Sequence, residues 1–111
     1  MSNSEFNNLI QEVREALNGI FGDKLVQVWL YGSYAKGNHN ADSDIDIMVL
    51  VDLPKNQVSL YKRKVSDISS EIDLEYDVFL STKLQNKDTF LRYSNTLSLF
   101  RNILKEGKRI V

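Results

Sequence analysis

Two carboxylates flank a single isoleucine in Asp44-Ile45-Asp46, and a Gly32-Ser33 step stands ten residues before them. Residues two apart in a strand point to the same face. Asp44 and Asp46 therefore project together, while Ile45, Ile47 and Val49 face the other way. Two carboxylates about 6 Å apart repel by about 3 kcal/mol at an effective dielectric near 20. A hard divalent cation turns that repulsion into a binding site and keeps positions open for phosphate. Glycine lets a phosphate approach the backbone closely. A helical turn opening at Ser33 would aim free N–H groups at an anion, with the hydroxyl as a further donor. Lys36 adds a cation on the same turn. If the strands flanking this segment are neighbours, phosphates are gripped on one side and metal on the other, which suits two-metal phosphoryl or nucleotidyl transfer.

A third carboxylate would complete such a site. A strand over Leu74–Leu80 offers Asp73, Glu75 and Asp77 on one face by period two. Asp77 is preferred, because it directly precedes Val78-Phe79-Leu80 as Asp46 precedes its own apolar run. It could also serve as general base toward an attacking hydroxyl. Glu75 competes with it, and Asp73 lies too near the strand start.

Positioning these groups takes a small set of elements. Phe6, Leu9, Ile10, Val13, Leu17 and Ile20 recur at helical spacing over Ser4 to Ile20, with Ser4 as N-cap and Gly19 and Gly22 at the end. Leu25–Tyr31 reads as a strand. Gly32–Gly37 is a turn, Asn38–Ser43 a polar loop, and Asp44–Val51 the strongest strand, followed by Pro54. Asn56–Ile72 reads as a second helix through Val58, Tyr61, Val65, Ile68 and Ile72. A helical region over Phe90–Lys105 closes at Gly107 as C-cap. The order predicts one α/β (α+β) domain over residues 1–111, a small mixed sheet with flanking helices.

Composition narrows the chemistry. A net charge of −1 argues against an extended nucleic-acid-binding surface. The basic run Lys62-Arg63-Lys64 reads as a solvated face, with Glu71, Asp73 and Glu75 close by in sequence. There is no cysteine and one histidine, His39, so a metal must sit on oxygen ligands. That favours Mg²⁺ or Mn²⁺. No apolar run approaches the ~18 residues of a membrane span, and the polar start lacks a signal region, so a cytoplasmic location is expected.

Gly32-Ser33-Tyr34-Ala35-Lys36-Gly37 and Ser43-Asp44-Ile45-Asp46-Ile47, with their ten-residue spacing, resemble the nucleotidyltransferase superfamily of DNA polymerase β type. The similarity is closest to its minimal members, the antitoxins of HEPN–MNT toxin–antitoxin pairs. The ending Arg101-Asn102-Ile103-Leu104-Lys105-Glu106-Gly107 is also similar. The resemblance implies a polymerase β-like fold and transfer of AMP from ATP to a hydroxyl, a tyrosine of a HEPN-type toxin. It implies that Gly32 and Ser33 bind the triphosphate, that Asp44 and Asp46 hold metal, and that Asp77 is the third acid. Larger relatives such as aminoglycoside nucleotidyltransferases carry a C-terminal helical domain that this sequence lacks, so the acceptor pocket is expected from a partner or a second copy. The toxin's Arg-x-x-x-x-His signature is absent. Transfer to a small molecule such as an aminoglycoside, and a catalytically silent binding antitoxin, are the alternatives.

Trp29 and Tyr31 alternate with Val28 and Leu30, so they read as sheet-face residues rather than a base-stacking shelf. Phe90, Leu97, Leu99 and Phe100 exceed what a small core needs, which points to a homodimer or heterocomplex.

Overall fold

In the computed structural model, which describes all 111 residues, helix α1 covers Asn3–Phe21. Its N-cap is Ser2 rather than Ser4. The Ser2 hydroxyl accepts from the Glu5 N–H (3.1 Å) and Glu5 accepts from the Ser2 N–H (3.2 Å). This capping box satisfies two N–H groups at once, and a cap at Ser4 would forgo it. Strand β1 (Leu25–Tyr31) leads through a one-turn helix, α2 (Ser33–Lys36), to β2 (Ile45–Val51). Helix α3 (Lys55–Tyr76) crosses to β3 (Leu80–Asn86). Helices α4 (Lys87–Tyr93) and α5 (Ser98–Glu106) follow, and a two-residue strand β4 (Lys108–Arg109) ends the order.

The sheet runs β3-β2-β1-β4. β1 pairs antiparallel with β2 and β4, while β2 and β3 are parallel. The sheet is mixed with flanking helices, as the sequence led us to expect, and the helices cover both faces. Ile45, Ile47, Val49 and Val51 face α1 and α3, joined by Leu9, Val13, Leu17, Val58, Val65 and Ile72. Met48 and Leu50 face the other way, with Tyr31, Phe90, Phe100 and Ile103. Full burial of such a side chain contributes about 1.5–3 kcal/mol. β2, apolar on both sides and buried beyond Asp46, is therefore the most firmly anchored strand. Phe90 and Phe100 serve this internal cluster and are not surplus; Leu97 and Leu99 stay exposed.

Gly107 lets the chain leave α5 for β4. A Cβ there would collide with the carbonyl oxygen of Ile103 and crowd that of Leu30. The expected helix over Phe90–Lys105 is broken at Ser94–Leu97, and its first turn begins earlier, at Lys87 under an Asn86 cap.

The third strand lies elsewhere than Leu74–Leu80. α3 continues to Tyr76 because the stripe Val58, Val65, Ile72 is extended by Tyr76, which packs against the same core. Leu74 is 88% exposed, which a core-facing strand residue would not be. Asp77 ends the helix in the left-handed region (φ 53°), its N–H bonded to the Asp73 carbonyl. The Asp73 carboxylate accepts from the Leu80 N–H (2.7 Å) and starts β3. Alternating acids over residues 73–77 imitated a strand, while the real strand, Leu80-Ser81-Thr82-Lys83-Leu84-Gln85-Asn86, looked like a polar link because it lies at the sheet edge. No helix is long and apolar enough to cross a membrane.

Candidate active site

β1 ends at Tyr31, which pairs with Asp46. The chain then turns at Gly32 (φ 71°, ψ −153°), a region open in practice only to glycine. A Cβ on Gly32 would overlap the Asp46 carboxylate. The turn and the acid are thus in direct contact across β1 and β2. α2 follows, with the Lys36 N–H on the Gly32 carbonyl (3.2 Å) and the Asn38 N–H on the Ser33 carbonyl (3.2 Å). The loop back to β2 is shaped by its own side chains. The Asn40 N–H donates to Ser43 Oγ and the Asp42 N–H to Asn40 Oδ1, each at 2.9 Å. The ten-residue spacing is therefore the length of a structured return that brings Asp44 and Asp46 back beside Gly32.

Asp44 sits just before β2 and is exposed; Asp46 is within the strand and half-buried. Burial pushes the Asp46 carboxyl above the usual carboxylate range, the Lys83 ammonium pulls it back, and the Asp44 charge adds to the rise. An unfavourable carboxylate pair of this kind is what a divalent cation would relieve. Oxygen donors alone, one exposed and one half-buried, beside a glycine cradle, fit Mg²⁺ or Mn²⁺.

Asp77 does not join this pair. In the β2–β3 register Ser81 lies opposite Asp46 and Lys83 opposite Met48, so the strand presents a serine and then a lysine on the carboxylate face. Asp73 and Glu75 lie on α3. Nowhere are three or more acidic or histidine side chains gathered into a set that could hold a metal. Asp77 is exposed at the same end of the sheet, three residues ahead of Leu80, which pairs with Ile45.

Lys36 is engaged rather than free. Its Nζ lies 3.2 Å from Glu106 Oε2, tying the Gly-Ser turn to α5. Both side chains are about half exposed, so the tie is worth at most about 1 kcal/mol. A cavity of about 150 Å³ lies beneath it, lined by Tyr31, Gly32, Lys36, Asn102 and Glu106 among others. His39 is exposed, and its ring stacks on Tyr34 (3.9 Å), which in turn stacks on Phe6 (5.4 Å) and pins α2 against α1.

Two groups escaped the sequence reading. The Tyr31 hydroxyl is buried beside Asp46 and has no hydrogen-bond partner. Burial raises its pKa, the adjacent Lys83 ammonium opposes the rise, and Asp46 adds to it. Lys83 does not stand out in the sequence because Leu80–Asn86 has no apolar run to mark it as the third strand. A strand of correct register would have exposed it.

A family model describing a nucleotidyltransferase domain matches residues 10–110. The chain belongs to that family. Among relatives of this domain, the putative protein adenylyltransferase MJ0141 of Methanocaldococcus jannaschii is 36% identical over 84 residues, 75% of this chain and 82% of that protein. The putative protein adenylyltransferase MJ0604 of the same organism is 29% identical over 99 residues, 89% and 91% of the two chains. In solved structures, the nucleotidyltransferase fold seen here superposes on a chain of a toxin–antitoxin crystal structure with AMP-PNP (TM-score 0.58, 21% identity, 92% of this chain and 72% of that one). It also superposes on a mutant MntA–HpeT toxin–antitoxin structure (TM-score 0.54, 22% identity, 95% and 71%). At these identities the structural likeness concerns the fold.

Proposed function

We propose that this nucleotidyltransferase domain moves AMP from ATP to a hydroxyl of a protein, and that it is the antitoxin of a pair whose toxin, of HEPN type, carries the acceptor tyrosine. The observation that carries the reading is the contact between Gly32 and Asp46, which makes one site of the anion turn and the carboxylate pair. The adenylyltransferase names of the relatives support the AMP donor. The toxin–antitoxin neighbours, one with AMP-PNP, support the biological setting.

In this reading Asp44 and Asp46 hold Mg²⁺ (or Mn²⁺), and Gly32 and Ser33 receive the triphosphate. Lys36 leaves Glu106 for a phosphate oxygen. When bound, the metal offsets phosphate charge and polarises the P–O bonds. The acceptor oxygen forms a bond to the α-phosphorus, the bond from that phosphorus to the α–β bridging oxygen breaks, and pyrophosphate leaves. Asp77, exposed at this end of the sheet and outside the metal pair, takes the acceptor's proton.

The test is label transfer from α-³²P-ATP with Mg²⁺, in the presence of the protein encoded beside this one. Label on that protein, lost with Asp44→Asn and Asp46→Asn together, is expected. Tight binding of the neighbour with no label from any of the four nucleotides would replace this reading with steric neutralisation.

A further inference from the structure

The sheet ends at β3, and two hydrogen bonds fix which way its peptide groups point. The Phe79 carbonyl accepts from the Ile45 N–H (2.9 Å), so it faces β2. The next N–H, of Leu80, points away and donates to Asp73. Peptide groups alternate along a strand, so those of Thr82, Leu84 and Asn86 also point outward. The Asn86 N–H is taken by Gln85 Oε1 (3.0 Å). Side chains thus cap both ends of the edge and leave Thr82 and Leu84 open between them. A cavity of about 520 Å³ wraps this edge, with Lys62, Ser66 and Ser69 of α3 on one side and Leu99 and Phe100 of α5 on the other. Its only charged lining residues are Lys62 and Lys83.

We propose that this edge docks an extended, acidic segment of a partner protein, which adds to the sheet beside β3. Main-chain hydrogen bonds to Thr82 and Leu84 would supply affinity, and alternate side chains would enter the two walls. Acidic residues would meet Lys62 on the α3 side and Lys83 on the α5 side, so charge selects the partner. A second copy of this chain fits poorly. Antiparallel pairing of Leu80–Asn86 with itself is centred on Lys83 and sets two ammonium groups opposite each other, and the strand has no acid to offer in exchange. Since Ser81 lies opposite Asp46, a segment docked here would run past the carboxylate pair. That route for a protein acceptor rests on the function proposed above, whereas the docking does not.

The test uses the whole chain without nucleotide or metal, so its outcome is independent of the catalytic reading. Two capped heptapeptides serve as probes, Val-Glu-Glu-Tyr-Glu-Glu-Val, which offers acids to both walls, and its counterpart with Lys for Glu. Binding is read by fluorescence and by amide exchange. The acidic peptide should slow exchange at Thr82 and Leu84 at least tenfold, and the basic peptide should leave it unchanged. Lys62→Glu with Lys83→Glu should reverse the preference. Thr82→Pro, which removes the outward N–H together with the hydroxyl bonded to Ser69, should abolish binding, while Thr82→Val, which removes that hydroxyl alone, should retain it. Equal binding of both peptides, or protection elsewhere than residues 80–86, would overturn the proposal. So would protection of the edge by self-association without peptide. The exchange result on the unsubstituted chain decides the matter if Thr82→Pro does not fold.

Discussion

Gly32→Ala should damage stability and metal binding together, because two separate constraints meet at that residue. The backbone conformation at φ 71° and ψ −153° costs a residue with a side chain about 1–3 kcal/mol. The new methyl also overlaps the Asp46 carboxylate, whose escape into a poorer rotamer costs about 0.5–1.5 kcal/mol. The sum, about 1.5–4.5 kcal/mol, corresponds to a fall in Tm of roughly 6–18 °C for a chain of this length. Gly19→Ala is the control. It sits inside α1 with open space around it, and should gain about 0.5–1 kcal/mol. Urea unfolding without metal reads the first effect, and Mn²⁺ titration reads the loss of the Asp46 position. A cycle with Asp46→Ala separates the causes. Removing the carboxylate should recover about 1 kcal/mol of the Gly32→Ala cost and leave the backbone part. A Gly32→Ala protein that unfolds at the parental urea concentration and binds Mn²⁺ unchanged would refute the contact. A cost untouched by Asp46→Ala would refute the steric half.

Asp46→Asn should abolish transfer yet raise the Tm of the metal-free protein near pH 7. The Asp46 carboxyl is raised by burial, so the folded state binds its proton more tightly than the unfolded state. The penalty is therefore full above the raised pKa, fades as pH falls through it, and is gone below the ordinary value of about 4, where the gain in Tm should vanish. Asp77→Asn keeps a residue tolerant of the left-handed cap. It should slow transfer about 10²–10⁴-fold, the range proton transfer contributes, and leave Mg·ATP affinity unchanged by calorimetry; lost affinity would make Asp77 a ligand instead. Glu106→Gln releases Lys36 from its ion pair. It should change stability by less than about 1 kcal/mol and lower the KM for ATP a few-fold, and a raised KM would count against Lys36 as a phosphate contact. The Glu12 carboxyl beside Glu75, by the proton the pair can share and by its charge, lifts the Glu75 pKa. Glu75→Gln should therefore raise Tm near pH 7 and lose that advantage as pH falls through the carboxylate range.

The parts of the site legible in the sequence are those whose chemistry is local. Gly32-Ser33 and Asp44-Ile45-Asp46 each occupy one turn or strand end, and β1 and β2 are read from apolar runs broken only at Gln27 and Asp46. The mixed sheet followed from the order of these elements. What was not legible depends on partners distant in sequence. Leu80–Asn86 is polar because its edge is uncovered, so no apolar run marks it as a strand. Asp73, Glu75 and Asp77 alternate like strand residues, yet Tyr76 reaches the core at helical spacing from Ile72 and keeps the helix going. With β3 misplaced, neither Ser81 opposite Asp46 nor Lys83 beside Tyr31 could be seen. The Ser2 cap was hidden for a smaller reason. Ser2 and Ser4 are equally good cap residues by type, and only Ser2 stands three residues before a glutamate.

The most direct measurement is calorimetric titration of a non-hydrolysable ATP analogue, with and without Mg²⁺, into the parent chain and into Asp44→Asn, Asp46→Asn. One nucleotide per chain, bound only with Mg²⁺ and lost in the double variant, is the expected result. Equal binding without Mg²⁺, or binding that survives both substitutions, would contradict the assignment of Asp44, Asp46 and the Gly32 turn as a single metal–triphosphate site.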